Sequence, residues 1–317
     1  MNKLLTIAIP TYNRAALLDK QLTWLAKAIK GFESECEIII SDNCSTDNTQ
    51  EIIQKWQSNF SNVVYKANRN IENIGLMKNI AFCLQAATSK YVWTVGDDDP
   101  IQERTLAYLL TLIQKNPSLG LIFLNCYGRD KITDKIIVER WFNSDSDAPI
   151  IEGKTVFQRY LQESFGGVLF MTATVYKTEL VQCALQQWST SYKNLASQAY
   201  WTGFCAVNGS VVVTQDTYLE CTMHASSLEQ DPKWSLMMRY IHIPEVYLKL
   251  LNIGYSHSFC QQMISQNFIR ISDWKILLGA FRRWPVLAIS ILVLYLNMVG
   301  KSVYQSIFNN QSLNTSS

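Results

Sequence analysis

The sequence has 317 residues, of which 48% are hydrophobic and 17% are charged, and its net charge at pH 7 is +2. This composition is typical of a globular protein with one large domain or two small ones, and it excludes disordered, collagen-like and coiled-coil chains. The small net charge, without any block of Lys and Arg, argues against nucleic acid as a partner. Eight cysteines without a CxxC pair indicate neither a zinc site nor a disulfide framework, so we expect a reducing compartment.

Short apolar runs and helical spacings alternate over the first 125 residues. The runs predict strands, the first of which is closed by Pro10 too early for a signal peptide. The predicted strands cover 4–9, 37–41, 63–65, 91–95 and 119–125, and the predicted helices cover 15–30, a segment from about 47 to 56, 75–87 and 103–114. This alternation predicts an α/β fold with a mostly parallel central sheet and helices on both faces.

Polar residues follow four of these predicted strands. Ligands of parallel sheets bind beyond the carboxyl ends of the strands, so these segments are candidates for a binding site. They cover 11–14, 42–43, 68–70 and 96–99. None of them carries a GxGxxG or GxxxxGK[ST] pattern, which argues against a dinucleotide-binding fold or a P-loop.

The segment after the fourth predicted strand contains three consecutive carboxylates, Asp97, Asp98 and Asp99. Like charges at this spacing disfavour joint ionisation unless a cation lies among them. Hard oxygen ligands favour Mg²⁺ or Mn²⁺, and Mg²⁺ is usually held by one or two carboxylates together with substrate phosphates. The alternative is a solvated acidic turn that caps the next helix.

Four motifs resemble, in order and spacing, those of the family 2 glycosyltransferases of the GT-A fold. The resemblance extends to bacterial enzymes that build surface polysaccharides, including the abequosyltransferase-like branch. The motifs are IPTYNR at 9–14, ISDNCSTDNT at 40–49, NIENIG at 70–75 with Asn79, and GDDD at 96–99. The resemblance implies a GT-A fold and transfer of a sugar, with inversion, from a nucleotide-diphosphate donor to a glycan or lipid-linked acceptor.

The resemblance also implies roles for individual residues. Asp42 would accept the imide hydrogen of a pyrimidine base, Asp97 would lie near the ribose, and Asp98 would hold Mn²⁺ or Mg²⁺ with Asp99 as an alternate ligand. The remaining donor-site residues that it implies are Pro10, Tyr12, Arg14, Asn43, Gly75 and Asn79.

The catalytic base departs from the family pattern. Members commonly carry a Glu-Asp pair about 90–100 residues after the acidic motif, but residues 192–203 contain no carboxylate. Gln198 lies in that stretch, and an amide cannot take a proton at neutral pH. Asp216 and Glu220 are the remaining candidates for the base, and each could instead be structural.

His224 follows a predicted strand at 217–223. It could complete the metal shell or be a structural histidine.

We predict one GT-A domain over 1–245, with a nucleotide-sugar half at 1–125 and an acceptor half of short strands and polar loops at 126–245. Residues 246–317 carry six basic residues and one acidic residue. Their apolar run at 284–299 is shorter than the roughly 20 residues that span a bilayer. We therefore predict a helical extension that lies on an anionic membrane surface, with a buried core helix as the alternative.

Together these features predict an enzyme in the cytoplasm, peripheral on the inner face of the cell membrane. Two other functions remain open. A sugar nucleotidyltransferase would also use carboxylates and a metal, but it usually has a Gly-rich N-terminal loop, and residues 10–14 contain no glycine. A degenerate protein that binds nucleotide-sugar or glycan without turnover would explain the missing base.

Overall fold

The computed structural model describes residues 3–223, 231–268, 272–293 and 295–296. The chain divides into two compact units. The first is Met1–Ser226 with Asn252–Tyr255, and the second is Ser227–Leu251 with Ser256–Ser317. Residues 227–245, which we predicted as part of the GT-A domain, therefore belong to the second compact unit. The functional division into a donor half, an acceptor half and an extension stays a prediction.

The first unit is built on one eight-stranded sheet. Its strands are β1 (Leu5–Thr11), β2 (Cys36–Asp42), β3 (Val64–Arg69), β4 (Tyr91–Thr94), β5 (Leu119–Asp130), β6 (Ile136–Val138), β7 (Thr174–Lys177) and β8 (Ser210–Met223). The order across the sheet is β3-β2-β1-β4-β7-β5-β6, and β8 also pairs with β5.

Most strands of this sheet point in one direction. β1 pairs in parallel with β2 and β4, β2 with β3, and β5 with β8. β7 lies between β4 and β5 and is antiparallel to both. The carboxyl ends of β1, β2, β3, β4, β5 and β8 consequently meet at one edge, which we call the carboxyl edge.

Helices cover the sheet and bury their apolar stripes. They are α1 (Ala15–Ala28), α2 (Thr49–Asn59), α3 (Leu76–Ala86), α4 (Thr105–Lys115), α5 (Gly153–Glu163), α6 (Phe165–Val168), α7 (Thr178–Gln187) and α8 (Ser197–Val207). In α1, Leu18, Leu22 and Leu25 repeat at helical spacing and are fully buried. They share a core with the central strands, including Ile7, Ile38 and Trp93.

The predicted α/β architecture with a mostly parallel sheet is confirmed. The interpretation of 126–245 as short strands and polar loops was incomplete, because α5, α7 and α8 lie there and bury apolar faces. The antiparallel strand β7 was not predicted, since its four residues are too few for a visible alternation pattern.

The second unit is helical where the structure describes it. It contains α9 (Pro232–Met237), a π-helical turn (Met238–His242), α10 (Ile243–Leu251), α11 (His257–Phe268) and α12 (Ser272–Arg283). Residues 285–293 are also helical. Within the described ranges, no helix is both long enough and apolar enough to cross a membrane.

Candidate active site at the carboxyl edge

Asp97 joins the ends of β1 and β4. Its side chain is buried; Oδ2 accepts a hydrogen bond of 2.7 Å from Thr11 Oγ1, and Oδ1 accepts one of 2.9 Å from Arg14 Nη1. Burial raises the pKa of Asp97 above its ordinary value, although Thr11 and Arg14 oppose that shift. The carboxylate therefore fixes the first polar loop against the acidic turn.

Asp98 is the exposed member of the triplet, with 44% of its side chain accessible. The same Arg14 Nη1 donates to Asp98 Oδ2 at 2.9 Å, so one guanidinium bridges two carboxylates. In the described part of the chain, no hydrogen-bond donor contacts the other carboxylate oxygen of Asp98. This side chain is therefore open to a ligand at the surface of the edge.

Asp99 turns inward and accepts a short hydrogen bond from the hydroxyl of Thr172. Burial raises the pKa of Asp99 to about 7. Thr172 Oγ1 also accepts from the Gly96 backbone N–H at 2.8 Å, and Thr172 O accepts from Trp93 Nε1 at 2.7 Å. A Cβ on Gly96 would collide with Asp99 Oδ2, so a larger residue at this position would displace the Asp99 carboxylate.

Asp42, at the end of β2, is fully buried. Its Oδ1 accepts from the Ser45 backbone N–H at 2.9 Å, and its Oδ2 accepts from Gln50 Nε2 at 2.5 Å. Arg69 Nε lies 3.7 Å from the same Oδ2. A ligand that bonds to Asp42 must therefore displace or share these partners.

The other donor-site residues that the sequence predicts divide into exposed and loop-shaping groups. Tyr12 is 41% exposed, whereas Pro10 is buried within β1. Asn13 lies between Tyr12 and Arg14 with a positive φ of 53°, and its backbone N–H donates to Ser45 Oγ at 2.8 Å. This bond holds the loop after β1 against the loop after β2.

A network of amides shapes the loop before α3. Asn43 Oδ1 accepts from the Ile74 backbone N–H at 2.9 Å and from Asn70 Nδ2 at 3.1 Å. Asn79 Oδ1 accepts from Ser41 Oγ at 2.7 Å. Gly75 has a φ of 86° at the start of α3, which explains glycine at that position. Asn43, Gly75 and Asn79 thus fix the shape of the edge.

Glu220 lies beside the acidic turn. The chain after that turn pairs with β8, because the Glu220 backbone N–H donates to Pro100 O at 3.0 Å and Ile101 bridges Leu219. Glu220 Oε2 accepts from Tyr127 OH at 2.7 Å and from Arg129 Nε at 3.0 Å. Only 15% of the Glu220 side chain is exposed, so the carboxylate is held in one place.

The other candidate for the base, Asp216, and the amide Gln198 have different surroundings. Asp216 is 60% exposed and pairs with Arg104 Nη1 at 3.1 Å. Gln198 is buried in α8 and donates to the backbone oxygen of Val168 at 3.2 Å. Asp216 thus forms an exposed ion pair, whereas Gln198 is held inside the fold.

The structure brings Asp97, Asp98 and Asp99 together with Arg14, and it brings Glu220 to their neighbourhood through Pro100. His224, the third candidate metal ligand, lies outside the described residues. Among those that are described, no group of three or more His, Cys, Asp or Glu side chains is arranged to hold a metal.

Sequence reasoning missed Thr11, Thr172, Tyr127 and Arg129, which hold the site carboxylates. Thr11 lies in a recognised motif and could have been found. Thr172 could not, because 73 residues separate it from Asp99 and no pattern surrounds it.

Comparison with known proteins identifies the family of this chain. The family model for glycosyl transferase family 2 matches residues 6–171, which is just over half of the chain and includes the whole acidic turn. The family match and the fold therefore define a glycosyltransferase of the GT-A class. The chain belongs to glycosyl transferase family 2.

Among curated relatives, abequosyltransferase RfbV of Salmonella typhimurium is 30% identical over 56% of this chain and 53% of its own length. The GalNAc(5)-diNAcBac-PP-undecaprenol beta-1,3-glucosyltransferase of Campylobacter jejuni is 32% identical over 38% of each protein. The chain thus spans about half or less of the length of these relatives.

Two solved structures share the fold. Residues 1–349 of TarS from S. aureus superpose with a TM-score of 0.61 at 18% identity, covering 88% of this chain and 79% of that one. The mannosyltransferase PcManGT from Pyrobaculum calidifontis, in complex with GDP-Man and Mn²⁺, superposes with a TM-score of 0.56 at 13% identity. The match covers 98% of this chain and 85% of that one.

Proposed function

We propose that this protein transfers a sugar from a nucleotide-diphosphate donor to a hydroxyl of a glycan or lipid-linked acceptor in the synthesis of a cell-surface polysaccharide. The observation that carries the proposal is the acidic turn at the carboxyl edge, where Asp97 is pinned by Thr11 and Arg14 while Asp98 faces the surface. The two relatives, an abequosyltransferase and an undecaprenol-linked glucosyltransferase, support this class of reaction.

The donor would lie along the loops after β1 and β2. Tyr12 offers an exposed ring and Arg14 a cation for the diphosphate, while Asp42 would accept a hydrogen bond from the nucleotide base. Since Gln50 and Arg69 engage Asp42, base binding involves exchange of those contacts. Asp97 would face the ribose, and Asn43, Gly75 and Asn79 would keep the loop in shape.

The residues present suit a divalent cation. Asp98 offers an exposed carboxylate, and Asp99 would add a second one by exchanging its bond to Thr172. Mg²⁺ sites often use only one or two protein carboxylates, with phosphates and water completing the shell. The bridge from Arg14 indicates that this turn attracts positive charge. When bound, Mn²⁺ or Mg²⁺ would neutralise the charge that develops on the departing diphosphate. His224 remains a further candidate ligand.

Glu220 is our candidate for the base, in preference to Asp216. Both Tyr127 and Arg129 bond to Oε2 of Glu220, which orients the carboxylate. As the acceptor oxygen attacks the anomeric carbon, Glu220 would take the hydroxyl proton and the nucleoside diphosphate would leave from the opposite face. This displacement inverts the configuration at the anomeric carbon.

The test is donor turnover with Mn²⁺ present, measured as released nucleoside diphosphate, with the product anomer determined by NMR. We expect Asp98→Asn to abolish transfer and metal binding but to unfold at an unchanged temperature, because its side chain is exposed. Asp145→Asn, in an exposed loop, is the matched control. A fully active Asp98→Asn variant would overturn the metal assignment.

The base is tested separately. We expect Glu220→Gln to lower kcat by about 100-fold or more with little change in donor affinity, the order expected for loss of a general base. Asp216→Asn should retain activity. The reverse pattern would assign the base to Asp216 instead.

A protein that binds the donor without turnover is the second candidate function. The observation that favours it is Gln198, which is buried and hydrogen-bonded in the stretch where the family resemblance implies a catalytic Glu-Asp pair. Donor binding by calorimetry without released diphosphate, with every acceptor tested, would select it. A sugar nucleotidyltransferase has no comparable support.

We also propose a location in the cytoplasm, peripheral on the inner face of the cell membrane. An acceptor linked to a lipid would be presented at that surface. The basic composition of residues 246–317 supports this placement.

A further inference from the structure

The last helices of the second unit are apolar on two faces. One face packs inward, because Ala280, Ala288 and Ile291 are buried in a cluster with Leu236 and Tyr240. Spacings of eight and three residues place these three side chains on one side of a helix. This face is the contact that holds α12 and residues 285–293 in the second unit.

The opposite face exposes large apolar side chains, which we call the outer stripe. At about 100° per residue most of them point away from the buried face, and Phe281 and Leu292 lie at its flank. The outer stripe consists of Leu278 (68% exposed), Phe281 (43%), Val286 (78%), Ile289 (53%), Leu292 (45%), Val293 (50%) and Leu296 (57%). An exposed apolar patch of this kind marks an interaction surface.

The stripe continues across Pro285, which begins the second helical segment. The Trp284 backbone N–H donates to Ala280 O at 2.7 Å, and the Ala288 N–H donates to Trp284 O at 3.0 Å. The helical ladder therefore runs through the junction, apart from the bond that Pro285 cannot donate. From 278 to 293 the stripe is about 22 Å long.

The charges beside the stripe have one sign. Arg282 and Arg283 are exposed between its two parts, and the sequence from 274 to 296 contains no Asp or Glu. We propose that the outer stripe inserts into the surface of an anionic lipid bilayer, with Arg282 and Arg283 on the lipid headgroups. This inference deepens the peripheral location proposed above and does not depend on transferase activity.

A second copy of the chain fits this surface less well. A two-fold interface would place the stripe against itself and bring two arginines from each copy, Arg282 and Arg283, into one interface. With no carboxylate between 274 and 296 to pair with them, these charges would repel. Phosphates of an anionic headgroup supply the missing complement.

The experiment uses the full chain and vesicles of phosphatidylcholine with or without phosphatidylglycerol, separated by sedimentation. We expect binding only when phosphatidylglycerol is present. Arg282→Gln with Arg283→Gln should weaken that binding by about 10- to 30-fold. Val286→Asp with Ile289→Asp should abolish it at every vesicle concentration.

The matched control is Ile132→Asp with Ile151→Asp, which changes two exposed apolar residues of the first unit (83% and 86% exposed) and should bind like wild type. Thermal unfolding shows that each variant is folded, and sedimentation velocity gives its oligomeric state. Wild-type protein that ignores anionic vesicles would overturn the proposal, as would a wild-type dimer that Val286→Asp with Ile289→Asp converts to a monomer. Transferase activity is measured independently with a soluble acceptor, so the two proposals can fail separately.

Discussion

Arg14 supplies the acidic turn with a positive charge of its own. Its guanidinium nitrogen lies 2.9 Å from both Asp97 Oδ1 and Asp98 Oδ2, and its side chain is 48% exposed. Half-exposed ion pairs contribute little stability, because solvent screens them. Arg14 would therefore compete with a bound cation for the Asp98 carboxylate.

We accordingly predict that Arg14→Ala binds Mn²⁺ alone about two- to fivefold more tightly than wild type, because an exposed pair costs up to about 1 kcal/mol to break. The same variant should bind a nucleotide diphosphate more weakly, since it lacks a cation for the phosphates. Mn²⁺ titration by electron paramagnetic resonance and calorimetry of the nucleotide measure the two effects. Arg104→Ala, which frees Asp216 instead, should change neither.

Among the strands, β2 carries a buried charge at the end opposite to the active site. Glu37 is 1% exposed and pairs with Lys66 of β3, while Oε2 accepts from Thr6 Oγ1 of β1 at 2.6 Å and from the Thr88 N–H at 3.1 Å. Burial alone would raise the pKa of Glu37, but the bonds from Lys66, Thr6 and Thr88 outweigh it and lower the pKa. One carboxylate thus joins β1, β2, β3 and the turn before β4.

This shift predicts a pH dependence of stability. Because the folded-state pKa is depressed, the stabilisation by Glu37 is fully present above its ordinary pKa of 4.5 and is lost as the pH falls through the lower folded-state value. Glu37→Gln should lower the free energy of unfolding at pH 7 by about 1–3 kcal/mol and flatten its decline below pH 4.5.

Urea unfolding between pH 3 and 7 measures both effects. Glu163→Gln, at a 42% exposed carboxylate, serves as the control and should follow wild type. Equal pH slopes in wild type and Glu37→Gln would contradict the assignment.

The helices and strands differ in how well the sequence predicted their positions and bounds. β1, β2, β4 and α1 were found to within a few residues because each has a buried apolar run or stripe of sufficient length. β5 extends five residues beyond its predicted end at 125, since Tyr127 and Arg129 alternate with buried residues and mask the apolar run. Pairing of β7 between β4 and β5 depends on contacts distant in sequence, which local patterns do not contain.

The site was predictable to a similar degree. Asp97, Asp98 and Asp99 could be identified because they directly follow a strand. The difference in exposure between these carboxylates could not be predicted, because the burial of Asp97 and the exposure of Asp98 depend on how the turn is folded.

In the first unit, the backbone at Gly120 lies close to the backbone at Gly209, where β5 and β8 begin. A Cβ on Gly120 would lie 2.8 Å from Gly209 Cα and 2.8 Å from Cys205 O at the end of α8. These distances are too short for a methyl group, so the packing of α8 on β5 and β8 requires glycine here. This contact supports the half of the sheet that carries Glu220.

Gly120→Ala should therefore lower the free energy of unfolding by about 1–3 kcal/mol, the usual cost of overpacking. Gly166→Ala, where a Cβ would meet nothing within 4 Å, is the control and should be close to neutral. Urea unfolding monitored by tryptophan fluorescence measures the difference. Equal urea midpoints for the two variants would show that the backbone at Gly120 can move away from Gly209 without lowering the free energy of unfolding.

Thr172, which leads into β7, holds Asp99 and Gly96 across the sheet, although the family match ends one residue before it. A chimera joined at residue 171 would take its acidic turn from one parent and its threonine from the other. Segments exchanged between relatives are therefore better joined after β7 than before it. We expect libraries of hybrid enzymes with crossovers beyond Lys177 to contain more active members than libraries joined at 171.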